Sequence, residues 1–281
     1  MIAFYDWLYG RWERPQTERG IGVALIWVYL AALLAVELRR QGLWPVWLPP
    51  IPATHYFSIQ LAFTLILGLE VLSLIFILPA SLSKSIGKQL EILTLILLRN
   101  AFKELSLLPE PVSVDMNDLG SIFNIMASGV GSLFVFMALG FYRRISRRIS
   151  FMRDPGRIAK YVRAKKILSL TLLAMFAGIA IRDFILMFLG EEAAFFETIY
   201  TVLIFADIAM ALIAQRFMPC YYAVFRNSGF VIGTLMMRLA LSAPAILSSC
   251  LAVFAAVYVV ALAWGTNFFT PDSNESGWER R

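Results

Sequence analysis

Charge is scarce in this sequence: Asp, Glu, Lys and Arg make up 16% of its 281 residues, against about 25% in a soluble globular domain. That excludes an ordinary water-soluble globule. Intrinsic disorder is excluded as well, because it requires low hydrophobicity and high net charge. Histidine is nearly missing. His55 is the only one and lies in a proline-bearing loop, so the paired intramembrane His ligands of a cytochrome b haem are absent. There is no H-E-x-x-H for a zinc protease, and no apolar run holds a histidine that could act as base for a serine nucleophile. Lysine stops at Lys166, which leaves no amine in the last helix for a retinal Schiff base. Cysteine is limited to Cys220 and Cys250, too few and too far apart for a disulfide framework or a CxxC motif; both read as small apolar residues. No nucleophile–base set or metal-ligand cluster can be assembled, so the chain reads as neither an enzyme nor the carrier of a cofactor or metal.

What the sequence has is apolar length. Hydrophobic residues make up 59%, and a hydrocarbon core of roughly 30 Å is crossed by about 20 predominantly apolar residues. The segments Ile21–Leu38, Phe57–Pro79, Leu119–Tyr142, Ile167–Leu189, Phe196–Ile213 and Phe230–Trp264 qualify. The last is long enough to tilt, to kink at Pro244 or to extend beyond the bilayer. Residues 1–20, with Phe4, Trp7, Leu8 and Trp12 beside Arg11 and Arg14, read as an interfacial amphipathic segment. They do not read as a cleavable signal, because the apolar run starts late and ends in Glu37-Leu38-Arg39-Arg40. The expected architecture is an all-α polytopic bundle over 21–265. A polar tail follows at 266–281, and four prolines between Trp44 and Ala53 make a stiff connector.

Ser85–Leu108 is ambiguous. Its apolar middle is flanked by Lys88, Glu91, Arg99, Lys103 and Glu104, and Lys88, Arg99, Lys103 and Ser106 share one helical face. If it spans, there are seven helices with the N-terminus cytoplasmic; if it lies along the surface, there are six. The seven-span arrangement puts 17 of the 25 Lys and Arg residues inside and 4 outside, the six-span one 14 and 9. The positive-inside rule favours seven. Under either, the stretch Arg143–Lys166 belongs in the cytoplasm, and the expected location is a bacterial cytoplasmic membrane. In that stretch Arg143, Arg144, Arg147, Arg148, Arg157, Lys160, Arg163, Lys165 and Lys166 are the candidates for contact with anionic lipid head groups. No role with nucleic acid is indicated.

An ionisable residue near the bilayer centre costs roughly 2.5–3.5 kcal/mol on insertion scales, so each should have a partner or a task. The candidates are Glu70, Arg99, Arg182, Asp183, Asp207 and Arg238. Asp207 and Arg238 come out at similar depth on consecutive helices, which makes them the expected pair, with Glu70 the competing partner for Arg238. Arg182 and Asp183 point about 100° apart and are not expected to satisfy each other. Such charges read either as ion pairs tying helices together or as an ion or proton pathway.

Two further motifs are visible. Ala127, Ser128, Gly129 and Gly131 form a small-residue patch suited to close helix packing. Arg226-Asn227-Ser228-Gly229 reads as a cap before the last helix. There is no T-V-G-Y-G filter, and one Arg in Ser85–Leu108 is too few for a voltage sensor. The functional expectation is an ion or small-solute channel or transporter. The rival reading is a non-catalytic scaffold or subunit of a membrane complex, as a homo-oligomer or with a membrane partner.

Overall fold

The computed structural model describes residues 2–12, 14–43, 54–80, 82–105, 119–146, 154–189, 195–218 and 220–269. Among them it forms nine helices and no strand: α1 (Ile2–Trp12), α2 (Pro15–Arg40), α3 (Tyr56–Ile77), α4 (Leu82–Leu105), α5 (Leu119–Ile145), α6 (Pro155–Leu189), α7 (Phe195–Phe217), α8 (Tyr221–Ser242) and α9 (Ala245–Phe269). The proline-rich connector at 44–53, Arg147 and Arg148, Ser106 and the tail beyond 269 lie outside the described residues.

Six helices, α2, α3, α5, α6, α7 and α9, are long and apolar enough to cross a membrane. The protein is an all-helical integral membrane bundle. Its surface chemistry agrees: α5 turns Phe134, Phe136 and Phe141 outward while Ser128, Gly131 and Ser132 are buried. Large apolar residues outside and small or polar ones inside suit a lipid solvent, in which close backbone approach replaces the hydrophobic drive.

The six-helix count leaves out α4 and α8, and both run through the bundle. Arg99 of α4 reaches Phe63 and Glu70 of α3 at one end of the helix. Gly87 of α4 faces Tyr142 of α5 at the other. Of the polar face of α4, Arg99 therefore lies against α3, whereas Lys103 is exposed. Ile86, Leu90, Leu93 and Leu97 of α4 pack into one core cluster with Phe230 and Met237 of α8 and with α5 and α9. A second cluster joins α3, α6 and α7 through Val71, Ile75, Leu172, Tyr200 and Leu203.

The apolar run Phe230–Trp264 is not a single kinked helix. It breaks at Pro244 into α8 and α9, which pack as an antiparallel hairpin. Proline has no N–H for the helix ladder and pushes its predecessor out of the α region; Ala243 accordingly sits at φ −85°, ψ 156°. The hairpin closes tightly because α8 offers glycines. A Cβ on Gly233 would lie 2.5 Å from Val259 Cγ2, and one on Gly229 would lie 2.7 Å from Leu262 Cδ2. The small-residue patch of α5 serves the same end, since Gly131 stands against Ser249 of α9.

Helices α2 to α9 thus alternate in direction. At one end, called the basic end, α5 finishes in Arg143 and Arg144, and Asn267 of α9 donates to the Ile145 carbonyl. The last described turn of α9 therefore returns to the side of the basic connector, whereas a single final span would have ended on the opposite side. Helix α6 starts at Pro155, well before the apolar run at Ile167, so much of the basic stretch is helical. The Asp154 carboxylate accepts from the Gly156 N–H (3.0 Å) as an N-cap, with proline at the first helical position. Helix α1 lies at this end too: the Tyr5 hydroxyl donates to the Phe76 carbonyl (2.6 Å), and Lys166 pairs with Asp6 (2.6 Å).

Candidate polar pathway through the bundle

Five polar side chains of α3, α4, α7 and α8 lie buried inside the bundle with an atom that has no hydrogen-bond partner: Glu70, Gln89, Asp207, Asn227 and Arg238. Such atoms are costly in a dry interior. Arg238 lines one cavity, and Gln89 and Asp207 line another.

The larger cavity, about 800 Å³, opens at the end away from the basic connector. Its walls come from the first turns of α3 and α7, the last turns of α4 and α8, and the α8–α9 turn, Ser242 to Ala245. The α8–α9 turn is recessed. Asp207 meets Arg238, and Gln215 meets Ser228, so antiparallel register sets Ser242 level with the third turn of α7. About two turns of α7 rise past it, on the order of 10 Å. Arg99, Lys103 and Arg238 carry positive charge on the cavity wall, and Glu104 and Glu197 carry negative charge.

Behind the cationic wall stand carboxylates. Glu70 Oε2 is 4.0 Å from Arg99 Nη1, which donates to the Phe63 carbonyl at 2.9 Å. Asp207 Oδ2 is 3.6 Å from Arg238 Nε, with side chains 7% and 3% exposed. Asp207 also lines a second, small cavity of about 20 Å³ with Gln89, Thr234 and Lys165, room for about one water. Lys165 in turn donates to the Ala80 carbonyl at 2.7 Å, at the basic end. There Arg226 and Tyr142 converge on Ser83, by its hydroxyl and its carbonyl respectively. The Asp207–Arg238 pair therefore stands between a wide cavity, lined by Arg238, and a small, mostly apolar one, lined by Asp207.

Of the sequence candidates, the structure brings Glu70 to Arg99 and Asp207 to Arg238, all four at this seam. Arg182 and Asp183 stay apart from it, and the expectation that they would not pair is corrected. Arg182 Nε reaches Asp183 Oδ1 at 2.8 Å. An arginine side chain is long enough to bend round the helix across the 100° between neighbours.

The lipid-contact set also changes. Lys165 is 2% exposed, holds the Ala80 carbonyl and lies over the Tyr161 ring, so it is an interior residue and no head-group ligand. Lys166 is engaged by Asp6, Arg143 by Glu91 (2.9 Å) and Arg157 by the Phe217 carbonyl (3.1 Å). Arg144, Lys160 and Arg163 are exposed. The capping role of Arg226-Asn227-Ser228 is overturned: all three lie inside α8, and the Arg226 guanidinium is buried against Ser83 and the Phe230 ring.

Comparison with family models, curated proteins and solved structures finds no match. The geometry is therefore the basis for a functional reading. Sequence reasoning missed Gln89, Thr234 and Tyr200, the last on the wall of the larger cavity, and it placed Lys165 among the head-group contacts. For Lys165 a signal existed: Asp154-Pro155-Gly156 is a helix start, and extending α6 back to it carries Lys165 into the bundle. Gln89, Tyr200 and Thr234 have no local signal, because a single polar residue on an apolar helix acquires meaning only from what faces it.

Proposed function

We propose that the protein is a channel or transporter for an ion or small solute, with the Asp207–Arg238 pair as the partition between its two access sides. One observation carries this: Arg238 is on the wall of the open cavity while its partner Asp207 is on the wall of the small one beyond. A pair that only tied α7 to α8 would need neither cavity. Intramembrane charges facing a polar cavity mark ion and substrate routes. A solute entering from the open end meets the guanidinium first, and movement past it requires the pair to part. The basic connector faces the cytoplasm under the positive-inside rule, which makes the large cavity extracytoplasmic.

The test is reconstitution. Purified protein in liposomes should pass a solute down its gradient, and Asp207→Asn and Arg238→Gln should each alter that flux. A variant pair that folds but leaves the flux of the native protein unchanged would reject the partition role.

A second reading, a membrane subunit, draws on α2. This helix packs mainly on α3 and leaves Ile26, Trp27 and Leu34 exposed. A protein that never conducts alone, and whose α2 crosslinks to another membrane protein, would favour that reading.

A further inference from the structure

The wide cavity has a chemistry of its own, and it narrows the class of solute. Its two arginines are held in a particular way. Arg238 is almost wholly buried and lines the cavity, and its Nε faces Asp207 Oδ2 at 3.6 Å on the side away from it. Arg99 lines it as well and directs one donor to the Phe63 carbonyl. The carboxylates facing them, Glu70 and Asp207, are not part of the cavity wall. Each guanidinium is therefore backed by a negative charge, while the arginine that carries it also contributes to the cavity wall. A guanidinium carries five N–H donors in a planar fork that matches an oxyanion, and two such forks on one wall select for it.

The same wall carries two acidic residues and a third cation, Lys103, so its cations outnumber its carboxylates. Glu104 accepts from the Asn124 amide of α5 (3.0 Å), and Glu197 sits in the first turn of α7. The wall also carries aromatic rings among its aliphatic and polar residues: Phe63 and Phe102 stack at 5.6 Å between ring centroids, and Phe196 lines the same cavity. Inorganic anions gain nothing from such a surface, whereas an organic body does.

We propose that this cavity binds a small organic anion, its carboxylate held by Arg99 and Arg238 and its apolar body against Phe63, Phe102 and Phe196. The inference rests on the reading of the bundle as a solute route, and it supplies the substrate class.

The test uses the full chain in nanodiscs, titrated with benzoate, with its neutral isostere benzamide, with inorganic phosphate and with tetraethylammonium. Saturable binding of benzoate is expected, with weaker or no binding of the other three. Arg99→Gln should weaken benzoate by about tenfold or more, the size of one lost charged hydrogen bond. If that variant does not fold, Glu70→Gln combined with Arg99→Gln removes both charges together and should show the same loss. Benzamide binding as tightly as benzoate would overturn the assignment, as would phosphate or tetraethylammonium binding in its place. Flux in liposomes separates the two claims. Benzoate binding without flux would reject the transport reading and keep the site; flux of an inorganic ion without benzoate binding would reject the site and keep the transport reading.

Discussion

Asp207 and Arg238 stand 3.6 Å apart on antiparallel helices, too far for a hydrogen bond, and each lines a different cavity. That distance makes the pair electrostatic and leaves both groups reliant on each other for neutrality in a low-dielectric interior.

Removing one partner should be worse than removing both. Asp207→Asn or Arg238→Gln alone leaves a buried, uncompensated charge and should cost about 3–5 kcal/mol. The double variant should recover part of that loss, because the two sites are in contact and their effects do not add. Thermal unfolding of the purified variants in detergent measures it. Losses that simply sum would show that the pair is not coupled.

Gly233→Ala should destabilise the α8–α9 hairpin by about 1–3 kcal/mol, the usual penalty of overpacking. Its new Cβ would meet Val259 Cγ2 at 2.5 Å, and Val259 is fully buried with no room to move. Val259→Ala in the same chain should restore part of the melting temperature. Gly129→Ala is the control, since nothing lies within 4 Å of its added carbon. Equal damage from both glycine variants would mean that hairpin packing is not the cause.

The hairpin also fixes sidedness. In a background without Cys220 and Cys250, cysteines at Arg144 and Phe268 should react with an impermeant reagent from one side, and a cysteine at His55 from the other. Labelling of positions 144 and 268 from opposite sides would restore a single final span and remove the α8–α9 hairpin.

Exposed and buried basic residues should separate by phenotype. Replacing Arg144, Lys160 and Arg163 with Gln should weaken association with anionic lipid by on the order of 1 kcal/mol per charge, read from retention of phosphatidylglycerol in purified protein, with the melting temperature little changed. Lys165→Gln should do the reverse. It removes the donor held by the Ala80 carbonyl at the end of α3, so the melting temperature should fall while lipid retention stays the same. A lipid effect from Lys165→Gln would return it to the head-group set.

Much of the architecture was legible from local pattern. Apolar runs of membrane-crossing length located α2, α3, α5, α6 and α7, and the Arg143–Lys166 stretch picked out the basic end, because hydropathy and charge asymmetry act residue by residue on transfer into lipid. The ionisable residues inside those runs were visible for the same reason, each being expensive wherever it packs. Tertiary structure decided the rest. Pro244 in an apolar run is compatible with a kink or a reversal, and only the seating of Gly229 and Gly233 against Leu262 and Val259 makes it a reversal. Lys165 reads as one more basic residue in a basic stretch until α3 places the Ala80 carbonyl 2.7 Å from it. The two cavities, and the pair that stands between them, exist only where helices distant in sequence meet. Composition and periodicity govern what each helix can face, whereas contact between helices is set by non-local packing that no single segment encodes.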